Sequence, residues 1–206
     1  MKTKTFQYES KLRSAGFNRI AGVDEAGRGA LAGPLVVAAV ILDVEHPITG
    51  LNDSKLLTKK QRDQLRVKIY ENALAVSIVE ISEIEIDEIG IGQADVRGMR
   101  RALARLANQP NFVISDGFAV DGLDCPSLAM KKGDQLCASV AAASIIAKTY
   151  RDDLMVELDR NYPQYGLATH KGYGTSQHLK ALREYGNSEI HRRTFIWDKS
   201  SRLEVG

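Results

Sequence analysis

Residues 21–42 read AGVDEAGRGALAGPLVVAAVIL, and the fold follows from this stretch. Asn18 to Val23 is strand-like, Gly27–Gly29 makes a glycine-rich turn, and Leu35 to Leu42 (LVVAAVIL) is an unbroken apolar run. A run without polar alternation is expected of a strand covered on both faces. Two such runs close together around a glycine turn predict an antiparallel hairpin. Asp24 and Glu25 sit in the middle of it. Adjacent residues of a regular strand point to opposite faces, so two acids serving one site would require the strand to end or twist there. Taken alone, DEAG reads equally well as a surface turn with two solvated acids.

Outward from the hairpin, residues 6–15 predict a short amphipathic helix ended by Gly16. Thr58 is a suitable N-cap for a helix through about Ala73, with Leu65 and Ile69 as its apolar stripe. Ala75 to Ile81 predicts a third strand. Ser82 followed by Glu85 predicts a capping box for a short acidic helix. Gln93 to Asn108 places Val96, Met99, Leu103 and Leu106 on one helical face, with arginines opposite. Phe112–Ser115 and Ser127–Met130 are two further short strands. The longest helical pattern, Gln135 to Leu158, buries Ala138, Ala141, Ala142, Ile145, Ile146 and Thr149. So many alanines predict a close approach of this helix to its neighbour. A glycine-rich loop, a helix near 176–185 and an irregular tail follow. This order suits a mixed α/β sheet in one domain over residues 1–206.

Composition limits the function classes. The chain has 206 residues, 44% of them hydrophobic and 26% charged, enough for a sizeable core. MKTKTFQYESK lacks an apolar leader segment, and the longest apolar stretch, Leu31 to Leu42, is interrupted by Gly33 and Pro34. No membrane association is expected. Cys125 and Cys137 show no metal-site spacing and read as reduced thiols of a cytoplasmic protein. A net charge of +2 argues only weakly for a nucleic-acid partner. Two divalent cations on four carboxylates would add four positive charges at the place where a phosphate must bind.

Two further acids complete that set. Asp116 ends the apolar run FVISD and precedes Gly117; Asp134 lies in KKGDQ before the alanine-rich helix. An acid where a buried strand meets a turn is where α/β sheets place ligands, although a turn-forming Asp-Gly pair reads the same way. Asp134 by itself reads as an N-cap. If the acids converge, hard divalent cations with oxygen ligands would relieve their repulsion, and phosphate chemistry follows.

An ordered set of motifs carries a family resemblance. VDEAGRGALAGP, LNDSK (51–55), MRRAL (99–103), SDG (115–117), KGD (132–134), AAASIIAK (141–148), YPQYG (162–166), HKGYGT (170–175) and IHRR (190–193) together resemble bacterial ribonuclease HII from about residue 18 to 198. The resemblance implies an RNase H-like fold: a mixed five-stranded central sheet flanked by helices, plus a helical C-terminal extension from about 160. It implies hydrolysis of the phosphodiester 5′ of a ribonucleotide embedded in duplex DNA, and of RNA in RNA–DNA hybrids, leaving 3′-OH and 5′-phosphate ends. Asp24, Glu25, Asp116 and Asp134 match the acidic active site, with Mg²⁺ or Mn²⁺ as cofactor and two ions, roughly 4 Å apart, working on either side of an in-line displacement.

Gly27, Arg28 and Gly29 match the stretch that contacts the 2′-OH, which glycine backbone can approach closely. Tyr173 matches the tyrosine that stacks on the deoxyribose 3′ of the ribonucleotide. Lys55, Lys148, Lys171, Arg192 and Arg193 are candidate phosphate contacts. Asn52 and Ser54 are expected to position their loop beside DNA, Asp53 to cap or turn it, and Asp152 to support the site. His170, His178 and His191 are too scattered to read as a zinc set. Three departures from the family stand out: Ala30 where proline is usual after GRG, Phe118 in SDGF where a polar residue is usual, and TYRD at 149–152. A monomer is expected. The alternatives are an enzyme restricted to long hybrids, like ribonuclease HIII, and a hybrid-binding protein without catalysis. The short N-terminus speaks against the first, the four intact acids against the second.

Overall fold

The computed structural model describes residues 7–195. Phe6 of the predicted first helix and the end of the irregular tail lie outside them. The elements are α1 (Gln7–Ser14), β1 (Ile20–Ala26), β2 (Leu35–Leu42), α2 (Lys59–Asn72), β3 (Ala73–Ile81), α3 (Glu83–Ile89), α4 (Ile91–Ala104), β4 (Phe112–Asp116), β5 (Ser127–Met130), α5 (Gly133–Leu136), α6 (Ala138–Asn161), α7 (Leu167–His170) and α8 (Ser176–Tyr185). The strands form one sheet in the order β3-β2-β1-β4-β5. The predicted hairpin is present: β1 and β2 pair antiparallel, as do β2 and β3, whereas β4 runs parallel to both β1 and β5.

The unbroken β2 run has the predicted cause, since all eight of its residues are buried. Leu35, Val37, Ala39 and Ile41 pack with Met99, Ala102 and Leu103 of α4. Val36, Ala38, Val40 and Leu42 pack with Ala141, Ala142, Ile145 and Ile146 of α6. α6 sits very close to β1. A Cβ built on Gly22 would stand 2.1 Å from the Ser139 carbonyl carbon, so the strand needs glycine and the helix needs its small residues. This contact sets how near α6 comes to the acids two residues further along β1.

Local signals explain most boundaries. α2 starts with a complete capping box between Thr58 and Gln61, and buries Leu65 and Ile69. At α3 only half of the predicted box forms, the Ser82 side chain accepting from the Glu85 N–H. The α4 face is turned from the predicted one: Ala94, Asp95, Gly98, Met99, Ala102 and Leu103 are buried and Val96 is half-buried. The predicted helix from Gln135 breaks at Cys137, whose backbone is extended. α6 begins after it because buried Glu9 of α1 accepts from the Ser139 N–H and hydroxyl, both at 3.0 Å. A carboxylate there also complements the helix dipole. No helix of the described residues is long and apolar enough to cross a membrane.

Candidate active site

Strand parity brings the acids together. β1 and β4 pair in parallel as Gly22↔Ile114 and Val23↔Ser115, so Asp24 and Asp116 come next on the same register. Both project toward α6, the face to which Gly22 and Ile114 point. The Asp116 Oδ1 accepts from the Gly133 N–H at 2.7 Å, which ties the end of β4 to the one-turn helix carrying Asp134. Asp134 lies in that first turn and is not the N-cap, which is Lys132 in left-handed conformation. One carboxylate oxygen each of Asp24, Asp116 and Asp134 fall within 4.8 Å of one another.

Glu25 is placed differently. β1 neither ends nor twists at the acids: it pairs regularly through Asp24↔Ala38 and Glu25↔Val37 to Ala26. The side chains therefore leave on opposite faces. Glu25 stands toward α4, within electrostatic reach of Asp24 and buried Asp95, and lines an open cleft of ≈ 470 Å³. The cleft is also lined by Gly27, Arg28, Gly29, Lys55, Lys148 and Tyr173, together with Ser54 and Ser144. Six of the nine predicted substrate contacts thus share one cleft. Lys171 does not. Its backbone is left-handed and its ammonium donates to the Ala168 carbonyl at 2.7 Å.

The electrostatics are those of a cation site. Burial first, then Asp116 and Asp134, push Asp24 up to about 7, against the Ser144 hydroxyl and the Glu25 N–H that favour the anion. The Ser144 hydroxyl beside Asp24 is itself 3.0 Å from the Ser54 hydroxyl. Burial, then Asp24 and Asp95, push Glu25 up to about 9. Burial, then Asp53 and Asp116, push Asp134 up to about 6. None of the ion pairs among the described residues involves these four acids. Lys55 supplies a compensating charge at longer range. Burial opposes its protonation, but Asp53, Asp24, Asp134 and Glu25 together hold its pKa above the usual lysine value. Three converging carboxylates, none of them in a direct ion pair, fit hard divalent cations.

These shifts have a sign that can be tested. A carboxyl with a raised folded pKa binds more protons folded than unfolded, so stability falls as pH rises between the two values. His191, pushed down to about 4 by burial and by His178, acts in the opposite direction, but only below its ordinary 6.5. With chelator present, Tm is therefore expected to fall by about 3–6 °C between pH 6.5 and 8.5. Mn²⁺ should restore it, more at pH 8.5 than at 6.5, because ligands bind metal deprotonated. An unchanged Tm on adding Mn²⁺ at pH 8.5 would count against a metal site.

Around the acids, the Gly27–Pro34 strap is held by Arg192 and by two groups the sequence did not single out, Asp95 and Arg151. Buried Asp95 pairs with Arg28 at 3.0 Å, as an ion pair and not a well-directed hydrogen bond, and the Arg28 guanidinium lies 4.5 Å from the Phe118 ring centre. Phe118 thus offers an aromatic face to a cation. The Ala30 departure adds a donor, since its N–H reaches the Gly27 carbonyl at 3.2 Å and a proline has none. Fully buried Arg151 donates to the carbonyls of Pro34, Lys171 and Ala32. Arg192 is not a phosphate contact: it is buried, and donates to the carbonyls of Gly33 and Arg28. The side chain of Arg193 is exposed, and its N–H donates to Asp87. Asp152 pairs with Lys148 at 2.6 Å and Arg62 at 3.8 Å, beside the cleft. Asp53 caps the turn at Ser54–Leu56, as expected. Asp95 and Arg151 left a signal in the sequence. Each is a charge inside an apolar helical stripe, Asp95-Met99-Ala102 and Ala147-Arg151-Met155.

Comparison with known proteins agrees with this arrangement. The chain is 51% identical over 193 residues to "Ribonuclease HII" of Acidothermus cellulolyticus, which covers 93% of this chain but 63% of that relative. It is 50% identical over 190 residues to "Ribonuclease HII" of Cutibacterium acnes, covering 91% of this chain and 93% of the relative. The crystal structure of ribonuclease H2 from Pyrococcus horikoshii OT3 superposes with a TM-score of 0.74 at 30% identity, over 90% of this chain and 97% of that one. The five-stranded mixed sheet with its flanking and C-terminal helices is therefore the RNase H-like fold. Residues 21–197 match the family described as Ribonuclease HII, and the chain belongs to that family.

Proposed function

We propose that the chain is a metal-dependent endonuclease that hydrolyses the phosphodiester 5′ of a ribonucleotide embedded in duplex DNA, and the RNA of RNA–DNA hybrids, leaving 3′-OH and 5′-phosphate ends. The observation that carries this reading is the juxtaposition of three converging carboxylates with a cleft lined by Gly27-Arg28-Gly29 and Tyr173.

Asp24, Asp116 and Asp134, which project toward α6, would hold divalent cations, with Glu25 contributing from the adjoining cleft wall. Bound there, Mg²⁺ or Mn²⁺ supplies an activated water and charge stabilisation for the departing 3′ oxygen. The protein's residues do the rest. The Ser54–Ser144 hydroxyl pair fixes Asp24, and the Gly133 N–H fixes Asp116. Arg151 and Arg192 hold the strap so that the backbone of Gly27–Gly29 meets a 2′-OH. The exposed Tyr173 ring stacks on the next sugar. Lys55 and Lys148 face the backbone phosphates from the cleft wall. The proposed role is removal of misincorporated ribonucleotides by a monomer in the cytoplasm.

The test is a duplex with one ribonucleotide, digested with Mg²⁺ and with Mn²⁺ and mapped at nucleotide resolution. A single nick 5′ of the ribonucleotide is expected. Cutting of long hybrids alone would favour a ribonuclease HIII-like enzyme, and binding without cutting a non-catalytic protein. Tyr173→Ala should lower kcat/KM about tenfold on the single-ribonucleotide duplex, the loss of one stacked contact, and less on long hybrids. Equal losses on both would remove Tyr173 from junction reading.

A further inference from the structure

Three histidines that the sequence scatters meet beneath the Tyr173 loop. His170, His178 and His191 are 8%, 0% and 2% exposed. The His170 and His178 rings stack at 4.4 Å, 18° from parallel, and the His178 Nε2 lies 3.1 Å from the His191 Nε2. Proton positions follow from the two ends of this chain. The Ser188 N–H donates to the His191 Nδ1 at 3.1 Å, so that nitrogen carries no proton and Nε2 does. The His191 Nε2–H must then donate to the His178 Nε2. That leaves the His178 proton on Nδ1, 3.1 Å from the carbonyl oxygen of Tyr173. His170 is set in the same way: the Gly172 N–H donates to its Nδ1 at 3.2 Å, and its Nε2–H donates to the Tyr165 carbonyl at 2.8 Å.

We infer that His178 and His191, backed by His170, are positioning residues whose one-way relay of neutral imidazoles fixes the Tyr173 backbone and thereby the place of its ring in the cleft. The Tyr173 main chain is held on both sides. Its N–H donates to the His170 carbonyl at 3.0 Å, and its carbonyl accepts from the His178 Nδ1–H and the Thr175 N–H. Tyr173 is 38% exposed, and its ring lies with the Arg151 guanidinium 5.7 Å from its centre.

The far end of the relay belongs to the strap that carries Gly27–Gly29. His191 bridges to Ala32, and the next residue, Arg192, donates to the Arg28 and Gly33 carbonyls. The relay therefore spans the two elements proposed to read the ribose and the following deoxyribose, and sets the distance between them. His178 faces His170, His191 and the Tyr165 ring, none of them an anion. Burial and these neighbours keep His178 and His191 less basic than free imidazole, as a neutral relay requires.

The inference rests on the reading that Tyr173 touches substrate, and the experiment separates the two. His178→Phe keeps the ring and the stack but removes the Nδ1–H donor; His178→Asn places an amide N–H near the Nδ1 position. With His178→Phe, the kcat/KM ratio of single-ribonucleotide duplex to long hybrid should fall about five- to tenfold, mostly through KM, the scale of one lost hydrogen bond. His178→Asn should stay within about twofold of wild type. In the unaltered protein, ¹⁵N NMR should show His178 as the less common Nδ1–H tautomer and His170 and His191 as Nε2–H. Equal losses on both substrates, no rescue by asparagine, or an Nε2–H His178 would each overturn the relay. A Tyr173→Ala protein with an unchanged substrate ratio would instead overturn the reading of Tyr173, while the tautomers still decide the relay.

Discussion

An Asp116→Asn protein is expected to bind its duplex within a few-fold of wild type and to cleave it at least about 10³-fold more slowly, some 4 kcal/mol of barrier. The variant isolates charge from structure. Asparagine keeps an oxygen where the Asp116 Oδ1 accepts the Gly133 N–H, so the link between the end of β4 and the Asp134 turn survives. What is lost is one of three carboxylates whose oxygens lie within 4.8 Å. Asp24 and Asp134 both owe part of their raised pKa to Asp116, so the substitution should leave the chelated protein at least as stable as wild type. The Mn²⁺-dependent rise in Tm should shrink together with the activity. Cleavage within tenfold of wild type would show that Asp116 is not part of the reaction centre.

The second large effect concerns a residue that touches no reacting group. Arg151→Met should cost about 3–5 kcal/mol, lowering Tm by about 10 °C, because three carbonyls, two in buried hydrogen bonds and one in a partly buried one, lose their donor at once. Two of those carbonyls, on Ala32 and Pro34, lie in the strap, and the third, on Lys171, lies in the Tyr173 loop. Activity on both substrates should fall with stability. The Arg151 Nε would stand 1.9 Å from a Cβ built on Gly27, so the guanidinium packs directly beneath the GRG backbone. Arg151→Lys should rescue little, since a single ammonium cannot reach three divergent acceptors. A lysine variant melting within about 2 °C of wild type would refute this bracing role.

Much of the site could be read from the chain, for identifiable reasons. LVVAAVIL has no polar position, so only a strand covered on both faces suits it, and β2 is that strand. The alanines of α6 announced a close helix, and Gly22 is where it touches. The ordered motifs named the family, and with it the four acids, because spacing and residue type survive without coordinates. Asp95 escaped notice since a single acid in a helical pattern carries little weight until its partner, Arg28, is known.

Sequence alone therefore determined the element types, the hairpin at 20–42 and the family, and it proposed the four acids as candidates. Tertiary structure alone decided which acids converge. The parallel register of β1 with β4 puts Asp24 and Asp116 on one face, while Glu25, one residue along, leaves on the other. It also decided that Arg192 braces backbone and is closed to phosphate, and that three scattered histidines touch. The physical reason is common to all of these: strand register and side-chain burial come from contacts between residues far apart in the chain, and local propensity carries no information about them.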